Sequence, residues 1–166
     1  MSKKVGILLG SDSDLPVVER AFQVLRELDI PFEAHIYSAH RTPAEAAEFT
    51  KGAREAGFGV LIAAAGMAAH LAGAVAANTT LPVIGIPCKS TVLDGMDALL
   101  STVQMPSGIP VATVAIGGAA NAALLAAEIL AVSDEALAQK LLAKREGDRQ
   151  KVLEKDAALQ EKLAAN

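Results

Sequence analysis

Short apolar runs, each closed by a turn signal and followed by a helical pattern, recur along this chain, and that alternation limits its fold more than any other feature. The runs are VGILLG (5–10), FEAHIYS (32–38), VLIAAAG (60–66), PVIGIP (82–87) and PVATVAI (110–116). Three of the five are continuous rather than alternating, as expected of parallel strands covered on both faces. Residues 15–29, 43–57, 67–78, 93–103 and 121–132 carry the intervening helical patterns. Strand then helix, repeated in this way, predicts an α/β fold with an open, doubly wound parallel sheet. Right-handed crossovers bring Gly10, Ser38, Gly66 and Pro87 to one carboxyl edge, where such sheets bind ligands.

The apolar share is 52%, built mostly of small aliphatic side chains with only 3% aromatics, so close-packed flat layers are expected. One domain is expected over residues 1–132, and residues 133–166 read as a helical arm. In that arm Ser133, Glu135 and Leu137 look like a capped helix start. Leu137, Leu141, Leu142, Val152, Leu159 and Leu163 then recur at helical spacing, a stripe that must be buried on the domain or on a neighbouring subunit.

Cys88 is the single cysteine, which excludes an internal disulfide and gives no sign of an oxidising compartment. The first apolar run is too short for a secretion signal or a membrane span, and reads as a strand. A net charge of -4 supplies no basic field for nucleic acid. The expectation is a cytoplasmic protein with neither a membrane nor a nucleic-acid partner.

Three stretches at the predicted edge hold side chains suited to chemistry. In GSDSD (10–14), Gly10 permits a tight turn, and a helix N-terminus follows Ser11, Ser13 and Asp14. These residues fit an anion site, and they fit simple capping by Asp14 or Ser13 equally well; capping is favoured on the stretch alone. In SAHRTPAE (38–45), Thr42 and Glu45 have capping-box spacing, with Pro43 at the first helical position. Ser38, His40 and Arg41 are left over. Arg41 beside a helix N-terminus calls for an anion between them, and its planar fork suits phosphate. His40 can accept and return a proton near neutral pH. The plainer readings are a surface carboxylate for Arg41 and a satisfied loop histidine for His40.

In AAAGMAAHLAG (63–73), tiny residues let a ligand approach the main chain at Gly66, and the pattern puts His70 inside the next helix, the setting of a structural histidine. His35 lies in a strand pattern and is given no role. Cys88 has no nucleophile motif around it and reads as a small hydrophobe. The histidines and the cysteine show no metal-ligand spacing, so no metal is expected.

GSDSD, SAHRTP, AAHL, VQMPSGIPVATVAIG and NAALLAAEIL, in that order, resemble the N5-carboxyaminoimidazole ribonucleotide mutases of bacterial purine synthesis, from about Val5 to Ala131. The resemblance implies a flavodoxin-like three-layer α/β/α sandwich, a homo-octamer, and C-terminal helical arms packed on neighbours. It implies an isomerase that moves a carboxyl group from the exocyclic nitrogen of its ribonucleotide substrate to ring carbon 4, with carbon dioxide as intermediate and no cofactor. Ser11, Ser38 and Arg41 would hold the 5′-phosphate, Asp14 the ribose hydroxyls, and His40 would be the general acid and base. Backbone around Ala65 and Gly66 would line the pocket that keeps the carbon dioxide, with His70 and Leu71 also against the substrate. Two residues depart from the family pattern: Met67 stands where a glycine is usual and Ala72 where a proline is usual. A related carboxylase class that takes free carbon dioxide generally carries SAHKT, so Arg41 points to the mutase. A non-catalytic nucleotide-binding domain on the same fold is the rival from another class.

Overall fold

The computed structural model describes residues 3–165. Strand β1 (Lys4–Leu9) leads through a 3-10 turn at Asp12–Asp14 into helix α1 (Leu15–Glu27), and the alternation continues with β2 (Phe32–Ile36), α2 (Pro43–Gly52), β3 (Phe58–Gly66) and α3 (Leu71–Ala76). Next come β4 (Val83–Cys88), α4 (Met96–Val103), β5 (Ala112–Thr113), α5 (Ala119–Ala131) and α6 (Glu135–Ala164). All strand pairs are parallel, in the order β2-β1-β3-β4-β5. The order reverses between β1 and β3, so the crevice that such sheets offer a ligand lies at the ends of those two strands.

The period of two along each strand divides the core between the faces. Val5, Ile7 and Leu9 join Val18, Ala21, Val24 and Leu25 of α1 and the alanines of α5 on one face. Leu8, Leu61 and Ala63 join Leu71 and Val75 of α3 on the other. This is the expected three-layer sandwich, and small side chains set its spacing. A Cβ on Gly85 would lie 2.4 Å from Thr102 Cγ2 and 3.3 Å from Ala72 Cβ, so β4 lies close under α3 and α4 because residue 85 has no side chain.

Several boundaries differ from the sequence expectation. The fifth strand pairs over two residues instead of running from 110 to 116. Pro110 has no amide hydrogen at its start. At its end Gly85 and Pro87 present their carbonyls to Val114 and Gly117 at 3.1 and 2.9 Å, and Pro87 has no amide to give back. The helix expected over 67–78 begins only at Leu71, which leaves His70 outside it. The arm is capped by Asp134, not Ser133: the Asp134 carboxylate accepts from the Leu137 amide at 3.0 Å.

Helix α6 runs unbroken for 30 residues. Its first turns are tied to the body, with Leu137 buried beside α1 and α5, and Lys140 on the Leu28 carbonyl and the Asp29 carboxylate at 3.2 and 2.8 Å. Further along, Val152, Leu159 and Leu163 are exposed. Among the described residues no helix is long and apolar enough to cross a membrane.

Candidate active site

Three loops meet at the carboxyl edge. The first follows β1, whose register with β3 is carried on by the Gly10 amide donating to the Ala64 carbonyl at 2.9 Å. Ser11 caps the 3-10 turn: its hydroxyl accepts from the Ser13 amide at 3.3 Å, while Asp14 Oδ2 accepts from the Ser11 amide at 3.1 Å. The reciprocal box is therefore here. The Ser11 hydroxyl proton goes to Asp12 at 2.9 Å. Asp14 is only 8% exposed. Burial pushes its carboxyl above the usual range, and hydrogen bonds from the Cys88 thiol and the Ser11 amide pull it back. Capping of α1 by Asp14, the plainer sequence reading, does not occur, since its side chain makes no cap bond to that helix.

The second loop follows β2. Thr42 does not form the expected capping box with Glu45. Its hydroxyl turns back instead, accepting from the Ser38 amide at 2.8 Å and donating to the Ser38 carbonyl at 3.2 Å. A local loop bond has outcompeted the helix end for the same oxygen. The Ser38 hydroxyl accepts from the His40 and Arg41 amides at 3.3 and 3.2 Å, which leaves its proton to donate elsewhere. Arg41 Nη2 donates to the Gly10 carbonyl at 3.1 Å. Among the described residues, then, its partner is the end of β1 and not a surface carboxylate, and this bond joins the second loop to the first.

The third loop follows β3. Ala65 and Gly66 are half-buried at its mouth, and a Cβ on Gly66 would lie 3.4 Å from the Cys88 carbonyl oxygen. Met67 adopts the left-handed region at φ 56, a conformation that favours glycine and is costly for a long side chain. The turn it makes sets His70 at the N-cap position of α3 and carries its ring to 5.3 Å from that of His40. Both imidazoles are exposed at the edge. The side chain of Leu71, by contrast, is buried in the core under α3, so only its main chain is available to the site.

Periodicity missed the pairing of His40 with His70, because it extended the helix back over a turn that Met67 breaks. His35 stacks on Tyr37 at 5.0 Å and meets the edge of Phe49, away from this edge. Cys88 is buried, and burial beside the Asp14 carboxylate pushes its thiol up to about 12, which leaves no thiolate for nucleophilic attack at neutral pH. Among the described residues no group of three or more His, Cys, Asp or Glu could hold a metal ion.

The fold and this edge define a parallel α/β protein whose loops gather at its topological switch point, the place where sheets of this kind bind small ligands. Residues 4–151 match the family described as AIR carboxylase. The chain is 55% identical over 157 residues to the N5-carboxyaminoimidazole ribonucleotide mutase of Pyrococcus horikoshii, covering 95% of this chain and 89% of that one. It is 55% identical over 156 residues to the Bacillus subtilis protein of the same name, covering 93% and 96%. In structure it is similar to Treponema denticola PurE, with a TM-score of 0.84, 32% identity, and coverage of 95% of this chain and 98% of that one. The chain belongs to the AIR carboxylase family.

Proposed function

We propose that the chain is an N5-carboxyaminoimidazole ribonucleotide mutase, an isomerase of purine biosynthesis that yields 4-carboxy-5-aminoimidazole ribonucleotide. The observation that carries this reading is the Arg41 bond to the Gly10 carbonyl, which gathers the serines, Asp14 and His40 at the switch point of a chain so close to mutases in sequence. Arg41 and the spare proton of Ser38 supply donors for a 5′-phosphate, with Ser11 beside them. Asp14 takes the ribose hydroxyls. His40 protonates the departing exocyclic nitrogen as the N–C bond breaks, which releases carbon dioxide and the aminoimidazole. The electron-rich ring carbon then attacks the retained gas. The ring proton at that carbon returns to the imidazole, so His40 ends as it began.

Retention is what makes one histidine sufficient. The Ala65–Gly66 main chain offers a mouth without bulky side chains, where a small linear molecule is held near the reacting carbon, and proximity does much of the work. The exposed apolar residues of α4 and the distal half of α6 fit burial against further copies, in keeping with a homo-octamer. Cytoplasmic residence suits the substrate. The test is an ultraviolet assay of purified protein with the carboxyamino ribonucleotide. Conversion without ATP or bicarbonate is expected. A strict requirement for bicarbonate would move the chain to the carboxylases, and binding without turnover would make it a nucleotide-binding domain.

A further inference from the structure

The substrate reading gives the Asp12 carboxylate no role, yet Asp12 holds a donor that the reading needs. Its Oδ1 accepts from the Ser11 hydroxyl at 2.9 Å and from the Ser13 amide at 3.1 Å. The Ser11 oxygen also accepts from the Ser13 amide, at 3.3 Å, and the single proton of that hydroxyl is the one given to Asp12. One carboxylate oxygen therefore occupies a hydroxyl and an amide at the head of the first loop, as an oxygen of a bound phosphate would. Burial does not enforce the arrangement, because Asp12 is exposed and Ser11 only half-buried. Nor is the charge cancelled: among the described residues no lysine, arginine or histidine forms an ion pair with Asp12.

We propose that Asp12 is a positioning residue for Ser11, an internal anion that takes the Ser11 proton in the free chain and lowers the affinity for the ribonucleotide phosphate by competing for it. The inference rests on the substrate reading given above. Arg41 Nη2 donates to the carbonyl of Gly10, the residue just before Ser11, so a phosphate held by that guanidinium comes to the same loop. Two anions then meet one hydroxyl proton. Turning the proton to the phosphate breaks a charge-assisted bond to Asp12. The displaced carboxylate is still ionised and stands near a second negative group, and that repulsion persists in water. Both effects oppose binding of the phosphate, and neither touches the His40 imidazole or the reacting ring. Asp12 therefore acts on KM and leaves kcat alone.

With the full chain and the carboxyamino ribonucleotide, Asp12→Ala is expected to lower KM about fivefold, the scale of one hydrogen bond plus a screened repulsion, with kcat kept within about twofold. Asp12→Asn keeps an acceptor and loses the charge, so its KM should lie between the two. The sign of the change is diagnostic, since losing a merely structural brace would raise KM. Inorganic phosphate, tested as a competitive inhibitor, should tighten in the same order, because it carries the anion without ribose or ring. In a Ser11→Ala background, Asp12→Ala should keep only the gain from removed charge, about twofold. That remaining gain should shrink as salt is added.

If Asp12→Ala does not fold, Asp12→Asn in the two backgrounds reads the same contrast. A KM and a phosphate inhibition constant that stay unchanged or rise in the Asp12 variants would overturn the inference alone. So would an equal gain with and without Ser11, which would make Asp12 a distant charge that does not act through the hydroxyl. An unmodified chain without turnover would remove the substrate reading and this inference together.

Discussion

At the β1 junction Ser11 and Asp14 close on each other, whereas at the β2 junction Thr42 bends away from its helix and onto Ser38. Both junctions end an apolar strand at the same edge of the sheet, and both supply a hydroxyl at a helix start. Their spare hydrogen-bonding capacity differs. The Ser11 proton is already given to Asp12, so Ser11 must turn before it can serve a ligand. Ser38 accepts twice and keeps its proton. Helix α2 is left without a side-chain cap, so its first amides also face outward unclaimed by a side chain. The first junction is a braced, buried carboxylate and the second an open set of donors around an exposed imidazole. That difference fits the proposed roles, with the sugar at Asp14 of the first junction and proton transfer and the main phosphate donors at the second.

The largest effect expected from this division is on turnover. His40→Asn should lower kcat by about a thousandfold, within the range for loss of a general acid and base, while calorimetry shows ribonucleotide binding nearly unchanged. Near-normal turnover in that variant would take proton transfer away from the second junction. Asp14→Asn should do the reverse, weakening substrate binding while leaving the protein at least as stable at neutral pH. The sign follows from burial, which raises the Asp14 pKa in the folded state above its unfolded value. The folded chain holds that proton more tightly, so ionisation costs stability above the raised pKa, and the cost disappears as pH falls through it. Thermal melts of the two proteins should therefore converge on acidification. A widening gap would mean that the bonds from Cys88 and Ser11 outweigh burial.

The smallest effects test the caps. Thr42→Ala should cost about 1 kcal/mol through the lost bonds to Ser38, and Ser11→Ala a similar amount through the lost turn cap. Glu45→Ala should change stability by less than about 0.5 kcal/mol, because no box exists for it to close. Denaturant titrations of the three variants give these values directly. A large loss on Glu45→Ala would restore the box that spacing suggested.

The capping box at Thr42 and Glu45 shows where reading along the chain stops. Its spacing is right, but spacing does not say which acceptor a hydroxyl will find when the preceding loop folds back within reach. The helix drawn through His70 failed for a related reason: small apolar residues sustain a helical pattern across a turn that φ 56 at Met67 breaks.

Hydrophobic rhythm by itself determined the layers of this protein, the parallel sheet, the carboxyl edge and the long C-terminal helix. These follow from which side chains must leave water, a property that each short window of residues already carries. Only the tertiary structure decided that Arg41 reaches Gly10, that His70 faces His40, that Asp14 turns back to the Ser11 amide, and that β5 stops where Pro87 has no amide to offer. Each of those outcomes is a competition among polar partners brought together through space, and the order of residues along the chain does not rank the competitors.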